Sequence, residues 1–452
     1  MKKRKFALST TQIILLSFLA VILVGGLLLA MPISAKGGEA VPFIDALFTA
    51  TSATCVTGLV TLPTVSTWSV FGQIVILILI QIGGLGIITI FSGLTVAINR
   101  RVGLKDSLLI SDAFNLNTLS ELGNFLKNVL IGTLVIEGAG ALLYMTVFVP
   151  EMGARGIWVS VFTSVSAFCN AGIDIIAENS LCDYVQSPVV NGVTSLLIIL
   201  GGIGYIVWWD VIRVSKNIGR EGIRAFHRLT LHSKIVLSST VALIFGGAIA
   251  ILILEYDNPL TLGDFSFLGK LQAALFQSVT TRTAGFATVA QEGLRGSSVI
   301  VCLFLMFIGG SPVGTAGGIK TATVVVLLAT ALAAIKNKSE VSIFGRQISR
   351  QVMRKAVAVT CTSFIIMFIS TVLLAAVTEA DVIDVLYETV SATATVGLTR
   401  NLTPFLNMWG KLIIICTMYF GRVGPISLAI AFSMKKDASN NIKNPTEDIS
   451  VG

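Results

Sequence analysis

The stretch LFTATSATCVTGL at residues 47–59 is the first of four related stretches in this chain. The others read VFTSVSAFCNAGI at 161–173, LFQSVTTRTAGF at 275–286 and LYETVSATATVGL at 386–398. Each has an aromatic residue, a run of small and hydroxyl-bearing residues, and a glycine. The glycines are Gly58, Gly172, Gly285 and Gly397, at intervals of 114, 113 and 112 residues. A motif repeated at one interval predicts four similar quarters around one axis.

The composition is that of a membrane protein. Of the 452 residues, 54% are hydrophobic and only 12% are charged, whereas a soluble domain carries about 25% charged residues. The mean hydropathy is +0.87. Residues 6–35 carry no charge. Because the apolar region of a signal peptide spans only about 7–15 residues, this stretch is interpreted as a retained membrane helix.

Eight apolar segments, each near the ~20 residues that span a bilayer, are predicted to be transmembrane helices. They are residues 11–33, 69–98, 128–149, 189–212, 235–254, 298–319, 356–378 and 411–433. One repeated stretch lies inside each pair, and it is too short for a further span. A re-entrant half-helix that turns at the glycine fits better, because irregular backbone at membrane depth must be buried in protein or line a wet cavity.

The predicted fold class is an all-α membrane protein with eight transmembrane helices. Four repeats, each a first helix (M1), a pore loop and a second helix (M2), surround a pseudo-fourfold axis. The predicted divisions are residues 1–100, 101–215, 216–338 and 339–434 for repeats 1 to 4, with an intramembrane gate loop at 309–321 in repeat 3 and a cytoplasmic tail at 435–452.

The distribution of charge predicts the orientation. Most of the 32 Lys and Arg residues lie in the N-terminal segment, in the loops between repeats and in the tail, whereas acidic residues dominate the opposite face. The positive-inside rule therefore puts both termini in the cytoplasm. The net charge of +8 follows from this topology, and no nucleic-acid partner is needed to explain it.

The repeated stretches have the residues that a potassium selectivity filter requires. A dehydrated K⁺ needs carbonyl oxygens in place of its water, and residues of alternating handedness can supply them, with glycine taking the positive φ. The helix before each strand also directs its negative end toward the centre, which favours a cation. The candidate cation ligands are Thr54, Cys55, Val56, Thr57 and Gly58; Phe168, Cys169, Asn170, Ala171 and Gly172; Thr281, Arg282, Thr283, Ala284 and Gly285; and Ala394, Thr395, Val396 and Gly397.

The position three residues before each glycine holds Cys55, Cys169, Arg282 or Ala394. Because these side chains are unlike, they are expected to point away from the ion, with Arg282 bonded to carbonyls or to an acid behind the filter. The third stretch is one residue shorter between aromatic and glycine, so its geometry is expected to differ. The alternative interpretation is that the small residues only pack helices closely, as they do in other membrane proteins.

The second helix of each pair carries a set of glycines, here called the glycine marks. They are Gly83, Gly84 and Gly86; Gly201, Gly202 and Gly204; Gly309 and Gly310; and Gly421 and Gly424. Just inside the filter, they are expected to permit a bend or close packing. The third mark continues into small residues and Pro312, which cannot sustain a stiff helix.

A flexible gate is predicted from this loop and from the arginine within the last span. The candidate gate residues are Gly309, Gly310, Ser311, Pro312, Gly314, Thr315, Gly317, Gly318, Lys320 and Arg422. Arg422 is either an electrostatic barrier to cations or half of an ion pair, with Glu137 as the available acid. The loop does not match the phosphate-binding pattern, and no nucleophile–base pair or metal-ligand spacing is present. An enzyme is therefore not expected.

At these residues the chain resembles the superfamily of K⁺ transporters that includes Trk, Ktr and plant HKT, and it most resembles the membrane subunit of bacterial Ktr systems. The resemblance implies K⁺ as the transported ion, since sodium-selective plant relatives carry serine where this chain has Gly58. It also implies Na⁺ as a candidate activator, a homodimer, a separate cytoplasmic RCK-type ring that binds nucleotide, and the bacterial cytoplasmic membrane. This chain shows no motif for an organic cofactor.

Three alternatives remain open from the sequence. The first is a Na⁺ or nonselective cation pathway with the same fold. The second is a receptor or scaffold that does not conduct, against which the four intact glycines argue. The third is an alternating-access carrier, but such carriers commonly have inverted repeats, whereas these repeats, with two spans each, run in the same direction.

Overall fold

The computed structural model describes residues 10–86, 122–216 and 222–424, which are mostly helical. The helices within these ranges are α1 (Thr10–Leu29), α2 (Phe43–Cys55), α3 (Thr64–Thr67), α4 (Val70–Leu85), α5 (Leu122–Met152), α6 (Ala154–Cys169), α7 (Pro188–Gly202), α8 (Tyr205–Ser215), α9 (Leu231–Glu255), α10 (Phe267–Thr280), α11 (Gly296–Phe307), α12 (Thr321–Ile335), α13 (Arg350–Val377), α14 (Val382–Ala394) and α15 (Met408–Val423). Strands β1 (Ser342–Ile343) and β2 (Arg346–Gln347) form one small antiparallel hairpin.

Four of the described helices, α1, α5, α9 and α13, are each long and apolar enough to cross a bilayer. A fifth crossing is counted if α7 and α8, which meet at 99°, are taken as one broken span. The prediction of a mostly helical membrane chain is confirmed. The number of eight transmembrane helices and the fourfold axis stay predictions, as do the repeat boundaries.

The second helix of each pair ends at its glycine mark. Helix α4 ends at Leu85, α7 at Gly202 and α15 at Val423, while α11 ends at Phe307, just before its mark. The predicted apolar segments 189–212 and 298–319 are therefore interrupted, as expected from glycines that permit a bend and from small residues and Pro312 that cannot sustain a stiff helix. The first breaks where Gly204 takes a φ of +88°, and the second gives way to the glycine-rich loop. Residues 87–98 and 425–433 of two other predicted segments lie outside the described residues.

The four short helices that precede the glycines are α2, α6, α10 and α14, here called the pore helices after the predicted pore loops to which they belong. Each packs against the first helix of its own quarter, and each also contacts the second, which for α10 is shown by the 3.7 Å contact from Gln277 Nε2 to Cys302 Sγ. The second helix of each quarter also contacts the pore helix of the next quarter. These contacts are α4 with α6, α7 with α10, α11 with α14, and α15 with α2. The contacts therefore run around the molecule and return to the first quarter.

Two described features were not predicted from the sequence. Helix α12 follows the 309–321 loop and contacts both α9 and α13. The β1–β2 hairpin pairs Ser342 with Gln347 and Ile343 with Arg346, in a segment that was predicted only to be a basic loop. A two-residue strand pair has no hydropathy signal of its own, which explains why it was missed.

Candidate functional site

The four repeated glycines form a closed ring of backbone contacts. A Cβ atom added to any of them would lie much too close to the carbonyl oxygen before the glycine of the next quarter. The added Cβ atom would lie 2.7 Å from Ala171 O at Gly58 and 2.6 Å from Ala284 O at Gly172. It would lie 2.6 Å from Val396 O at Gly285 and 2.2 Å from Thr57 O at Gly397. The fourth contact returns to the first quarter, so the structure brings the four predicted strands together around one point.

The backbone of each strand alternates in handedness. The glycines have positive φ, as predicted, with values of 103°, 64°, 83° and 97° in chain order. A second left-handed residue, missed by the sequence analysis, lies two positions earlier in every strand. These residues are Val56, Asn170, Thr283 and Thr395, with φ between 51° and 66°. Left-handed backbone costs a non-glycine residue about 1–2 kcal/mol, so the surrounding structure must impose this conformation.

Hydroxyl groups on the pore helices support the strands. Ser52 Oγ accepts a hydrogen bond from Gly58 N, and Ser391 Oγ accepts one from Gly397 N, both at 3.0 Å. In the other two quarters the equivalent hydroxyl donates to the residue after the glycine. Ser166 Oγ donates to Ile173 O at 2.5 Å, and Thr280 Oγ1 donates to Phe286 O at 2.6 Å. In the sequence, this position of the pore helix is a Ser or a Thr in all four stretches.

Several polar side chains of the strands have no hydrogen-bond partner within the described part of the chain. They are buried, so water from bulk solvent does not satisfy them. These groups are the hydroxyls of Thr54, Thr57, Thr393 and Thr395 and both side-chain amide atoms of Asn170. A buried polar group without a partner is costly, so the presence of several of them in one place calls for an explanation.

The third strand differs from the others, as its shorter sequence predicted. Helix α10 ends at Thr280, whereas the other pore helices end three residues before their glycines. Arg282 is buried, and its Nε has no partner among the described residues. The expected bond from Arg282 to a carbonyl or an acid is therefore not seen at this atom, and the side chain instead lines a small cavity with Gly202 and Gly310.

The first glycine of each mark packs against a pore helix or against the loop. Cβ atoms added to Gly83, Gly201 and Gly421 would lie 2.0, 2.0 and 2.2 Å from carbonyl oxygens four residues before the ring glycines, at Thr54, Phe168 and Thr393. The third mark is the exception, because a Cβ atom added to Gly309 would lie 2.0 Å from Gly317 O of its own loop. The marks thus permit close approach of backbones.

The 309–321 loop leaves helix α11 and returns beside it. Ile308 and Ile319 form a parallel bridge, and Gly309 N donates to Ile319 O at 2.9 Å. Ser311 N donates to Gly202 O at 2.8 Å, so the loop is also attached to the second quarter. A Cβ atom added to Gly314 would lie 2.8 Å from Gly201 O, and one added to Gly204 would lie 2.5 Å from Pro312 O.

The tip of the loop touches the ends of three strands. Thr315 Oγ1 donates to Phe168 O at 3.0 Å, and Gly317 N donates to Thr283 Oγ1 at 3.2 Å. Thr395 Oγ1 lies so close to Gly317 that an added Cβ would be only 1.8 Å away. The predicted gate residues are therefore packed against the predicted cation ligands.

Two basic side chains bind the carbonyl groups of this tip. Arg422 donates from Nη1 to Thr315 O and from Nη2 to Gly83 O, both at 2.6 Å. Lys320 Nζ donates to Ala316 O at 2.6 Å and to Gly317 O at 3.2 Å. Glu137 accepts from Gln81 Nε2 instead, so the alternative of an Arg422–Glu137 ion pair is not seen. The positive charge thus lies where it would repel a cation that passes the ring.

A cavity of about 330 Å³ opens beyond the ring glycines, here called the mouth cavity. All four ring glycines line it, and its charged lining residues are Asp174, Glu178 and Glu292. Asp174 accepts hydrogen bonds from Ser180 Oγ at 2.8 Å and from Ile176 N at 3.3 Å. Burial of this carboxyl raises the pKa of Asp174 from 3.8 to about 6. The sequence analysis did not single out Asp174.

The comparison with protein families agrees with this geometry. The model of the TrkH family, described as cation transport protein, matches residues 2–443. The chain belongs to the TrkH family. Because this is a family of ion transporters, the prediction that the protein is not an enzyme is confirmed.

Relatives of this TrkH-family chain include two bacterial uptake proteins. It is 39% identical over 442 residues to Ktr system potassium uptake protein B of Bacillus subtilis, covering 98% of this chain and 96% of the relative. It is also 39% identical over 463 residues to potassium/sodium uptake protein NtpJ of Enterococcus hirae, covering 100% and 99%. The potassium transporter TrkH from Vibrio parahaemolyticus has the same fold, with a TM-score of 0.75, 16% identity and coverage of 96% of this chain and 87% of that one.

Proposed function

We propose that this chain takes up K⁺ across the cytoplasmic membrane through a selective, channel-like pore. The observation that carries the proposal is the closed ring of four glycines, each against a carbonyl oxygen of the next quarter. Backbone carbonyls in a ring replace the water of a dehydrated ion. The membrane potential drives the ion inward, at about 2.3 kcal/mol per charge per 100 mV.

The selectivity filter in this proposal consists of residues 54–58, 168–172, 281–285 and 394–397. The alternation of left-handed and ordinary residues supports this role, because it allows consecutive carbonyl groups to face one side of the strand. The unpartnered hydroxyls of Thr54, Thr57 and Thr395 supply further oxygen atoms near the path. The acidic lining of the mouth cavity attracts cations to the outer end of the filter.

The gate in this proposal is the 309–321 loop together with Arg422. In the described conformation the loop tip lies against three filter strands, and Arg422 connects it to the first quarter through Gly83 O. Lys320 holds two further carbonyl groups of the same tip. Opening therefore requires these hydrogen bonds to break, after which the positive charges leave the path.

The finer architecture is also part of the proposal. We infer eight membrane crossings in four repeats, divided at residues 100, 215, 338 and 434, around a pseudo-fourfold axis. The circular order of helix contacts supports this arrangement. The mouth cavity then faces the outside, and both termini, with the tail at 435–452, lie in the cytoplasm according to the charge distribution.

The partners follow from the relatives rather than from a described surface. The relative from Bacillus subtilis is named as protein B of a Ktr system, which implies at least one other component for that protein. We propose that this chain forms a homodimer and binds a cytoplasmic RCK-type ring that controls the gate through a nucleotide. K⁺ is the cargo, Na⁺ is a candidate activator, and no organic cofactor is needed in this chain.

Ion uptake in a bacterium that lacks its own K⁺ uptake systems tests the proposal. The full chain is expressed with and without a cognate ring subunit, and uptake of K⁺, Rb⁺ and Na⁺ is measured. We expect growth at low K⁺ only with the chain, and faster uptake with the ring subunit. Normal amounts in the membrane without K⁺ uptake, even with the ring subunit, would contradict the proposed function.

A Na⁺ or mixed pathway is the second candidate, because one relative is named a potassium/sodium uptake protein. The variant Gly58→Ser separates the two. Under the K⁺ proposal, serine at this position admits Na⁺, so the ratio of K⁺ to Na⁺ uptake should fall. A wild-type chain that takes up Na⁺ as fast as K⁺, with no change in the variant, would support the second candidate.

A further inference from the structure

Glu388 occupies a distinctive place in the fourth pore helix. It directly follows the aromatic residue of its stretch, where the other three stretches have Thr49, Thr163 and Gln277. It is therefore the single carboxylate among the four equivalent positions. Its side chain is completely buried. Burial of a carboxyl group costs free energy unless the group is hydrogen-bonded, so hydrogen-bond donors are expected around it.

Both oxygen atoms of Glu388 accept hydrogen bonds from the segment that follows Gly397. Thr399 Oγ1 donates to Oε2 at 2.7 Å, and Thr403 Oγ1 donates to Oε1. Thr399 Oγ1 also accepts from Leu402 N at 3.2 Å. The Thr399 hydroxyl thus donates to Glu388 and accepts from the backbone, which uses both of its hydrogen-bonding functions.

The fourth strand is thus held to helix α14 on both sides of its glycine. Before the turn, Val396 N donates to Ser391 O at 2.8 Å and Gly397 N donates to Ser391 Oγ at 3.0 Å. After it, Thr399 is held by Glu388 and lines the mouth cavity beside Gly397. Helix α14 therefore holds the chain on both sides of Gly397, through a first anchor, Ser391, before it and a second anchor, Glu388, after it.

The first and second quarters do not have the second anchor. Their strands are fixed by Ser52 and Ser166, but the hydroxyls of Thr49 and Thr163 are buried without a partner among the described residues. In the first quarter the residue equivalent to Thr399 is Val60, which has no hydroxyl to donate. The third quarter has a related contact, because Gln277, at the position of Glu388, exchanges hydrogen bonds with Gln291, which follows Gly285 as Thr403 follows Gly397. Among the described residues a second anchor therefore occurs in the third and fourth quarters, and only the fourth uses a carboxyl group.

We propose that Glu388 is a positioning residue that holds the fourth strand at the spacing required for K⁺ and thereby sets the preference for K⁺ over Na⁺. The inference rests on the proposed function and deepens it. Na⁺ is smaller than K⁺, so carbonyl groups must move closer together to replace its water. Arg400 Nε, one residue beyond Thr399, donates to Asp384 of helix α14 at 2.6 Å, so the segment keeps one attachment without Glu388. A strand that is also held through Thr399 resists the movement, whereas a strand without this anchor follows the smaller ion more readily.

Uptake kinetics of the full chain, expressed with its ring subunit, test the inference through the variant Glu388→Gln. An amide keeps the shape but replaces one of the two accepting oxygen atoms by a donor, so one hydroxyl loses its acceptor. We expect the KM for K⁺ to rise, and the K⁺-to-Na⁺ uptake ratio to fall, by about tenfold each, since the loss of one partner of a buried hydrogen bond costs on that order. The matched control Thr163→Val, at the equivalent position, should keep both values.

A second pair of variants covers the case in which Glu388→Gln does not reach the membrane. Thr399→Ser keeps the donating hydroxyl and should behave as wild type, whereas Thr399→Val should show the raised KM and the lowered ratio. Wild-type values in both Glu388→Gln and Thr399→Val would overturn the inference while leaving the proposed function intact. Failure of the wild-type chain to take up K⁺ would instead overturn the proposed function.

Discussion

Arg422 and Thr315 are 107 residues apart in sequence, and the Arg422 Nη1 atom donates to Thr315 O at 2.6 Å. The other guanidinium nitrogen, Nη2, donates to Gly83 O in the first quarter. A planar guanidinium with several fixed donors suits such a bridge between two backbones. Arg422 therefore fastens the tip of the 309–321 loop to the opposite side of the ring, beneath the four glycines.

Removal of this bridge should open the pore in part. We expect Arg422→Gln to increase K⁺ uptake measured without the ring subunit by at least about tenfold, because hydrogen bonds from a charged group contribute about 1.5–3 kcal/mol each. Uptake by cells without the ring subunit is the measurement. The control Arg346→Gln changes an exposed arginine of the β1–β2 hairpin and should have no effect. Uptake in Arg422→Gln that still depends fully on the ring subunit would argue against the bridge.

Deletion of residues 311–317 should remove the obstruction itself. The loop begins and ends at the same place, since Gly309 N lies 2.9 Å from Ile319 O, so a short turn can join the remaining ends. We expect the shortened chain to take up K⁺ rapidly with or without the ring subunit. Purified protein in vesicles, loaded with a K⁺ gradient, gives the measurement. Flux that remains low without the ring subunit would mean that the loop is not the gate.

Gly397 should not tolerate an added methyl group, because its contact is the shortest in the ring. We expect Gly397→Ala to reduce K⁺ uptake by at least about tenfold, because a left-handed backbone alone costs alanine about 1–2 kcal/mol and the new Cβ also meets a carbonyl group. That Cβ would lie 2.2 Å from Thr57 O. Gly192→Ala is the matched control, since Gly192 lies in helix α7 with open space around it. Equal uptake by the two variants would contradict the importance of the ring.

The charge of the mouth cavity should depend on pH through Asp174. Its pKa is raised to about 6, so the carboxylate is ionised above that pH and becomes neutral as the pH falls through it. We expect K⁺ uptake to decline as external pH falls from about 7.5 to about 5, because the cavity then attracts fewer cations. The decline should be smaller in Asp174→Asn and unchanged in Asp183→Asn, which does not alter the lining. A wild-type profile in Asp174→Asn would count against this role.

The sequence predicted the most distinctive residues of the candidate site because their types carry the signal. Gly58, Gly172, Gly285 and Gly397 are recognisable by repetition, and positive φ at these positions follows from the absence of a Cβ. Val56 and its three equivalents also have positive φ, but no residue type common to them indicates it. Their conformation is imposed by the end of the pore helix and by the neighbouring strands, which no short stretch of sequence describes.

The supports of the site were harder to predict. Ser52 and Ser391 appear in the repeats as hydroxyl residues among many, and only the structure shows that each accepts from a ring glycine. Glu388 and Asp174 are single acidic residues without a motif. The expected bond from Arg282 stays a prediction, since its buried Nε has no partner among the described residues. Such partners depend on how each strand folds back against its own pore helix, which residue type alone does not specify.

By itself, the sequence determined that the chain is apolar enough for a membrane and that four related stretches each contain a glycine, and from these it predicted four quarters that each turn at the glycine. These properties depend on hydropathy and on residue type, which act locally. Only the tertiary structure decided which carbonyl each glycine faces, where the second helices break, and that Arg422 binds Thr315 O and Gly83 O, which is 339 residues away. Contacts of that separation arise when the quarters pack in a circle, and their energies depend on distances that the order of residues does not specify.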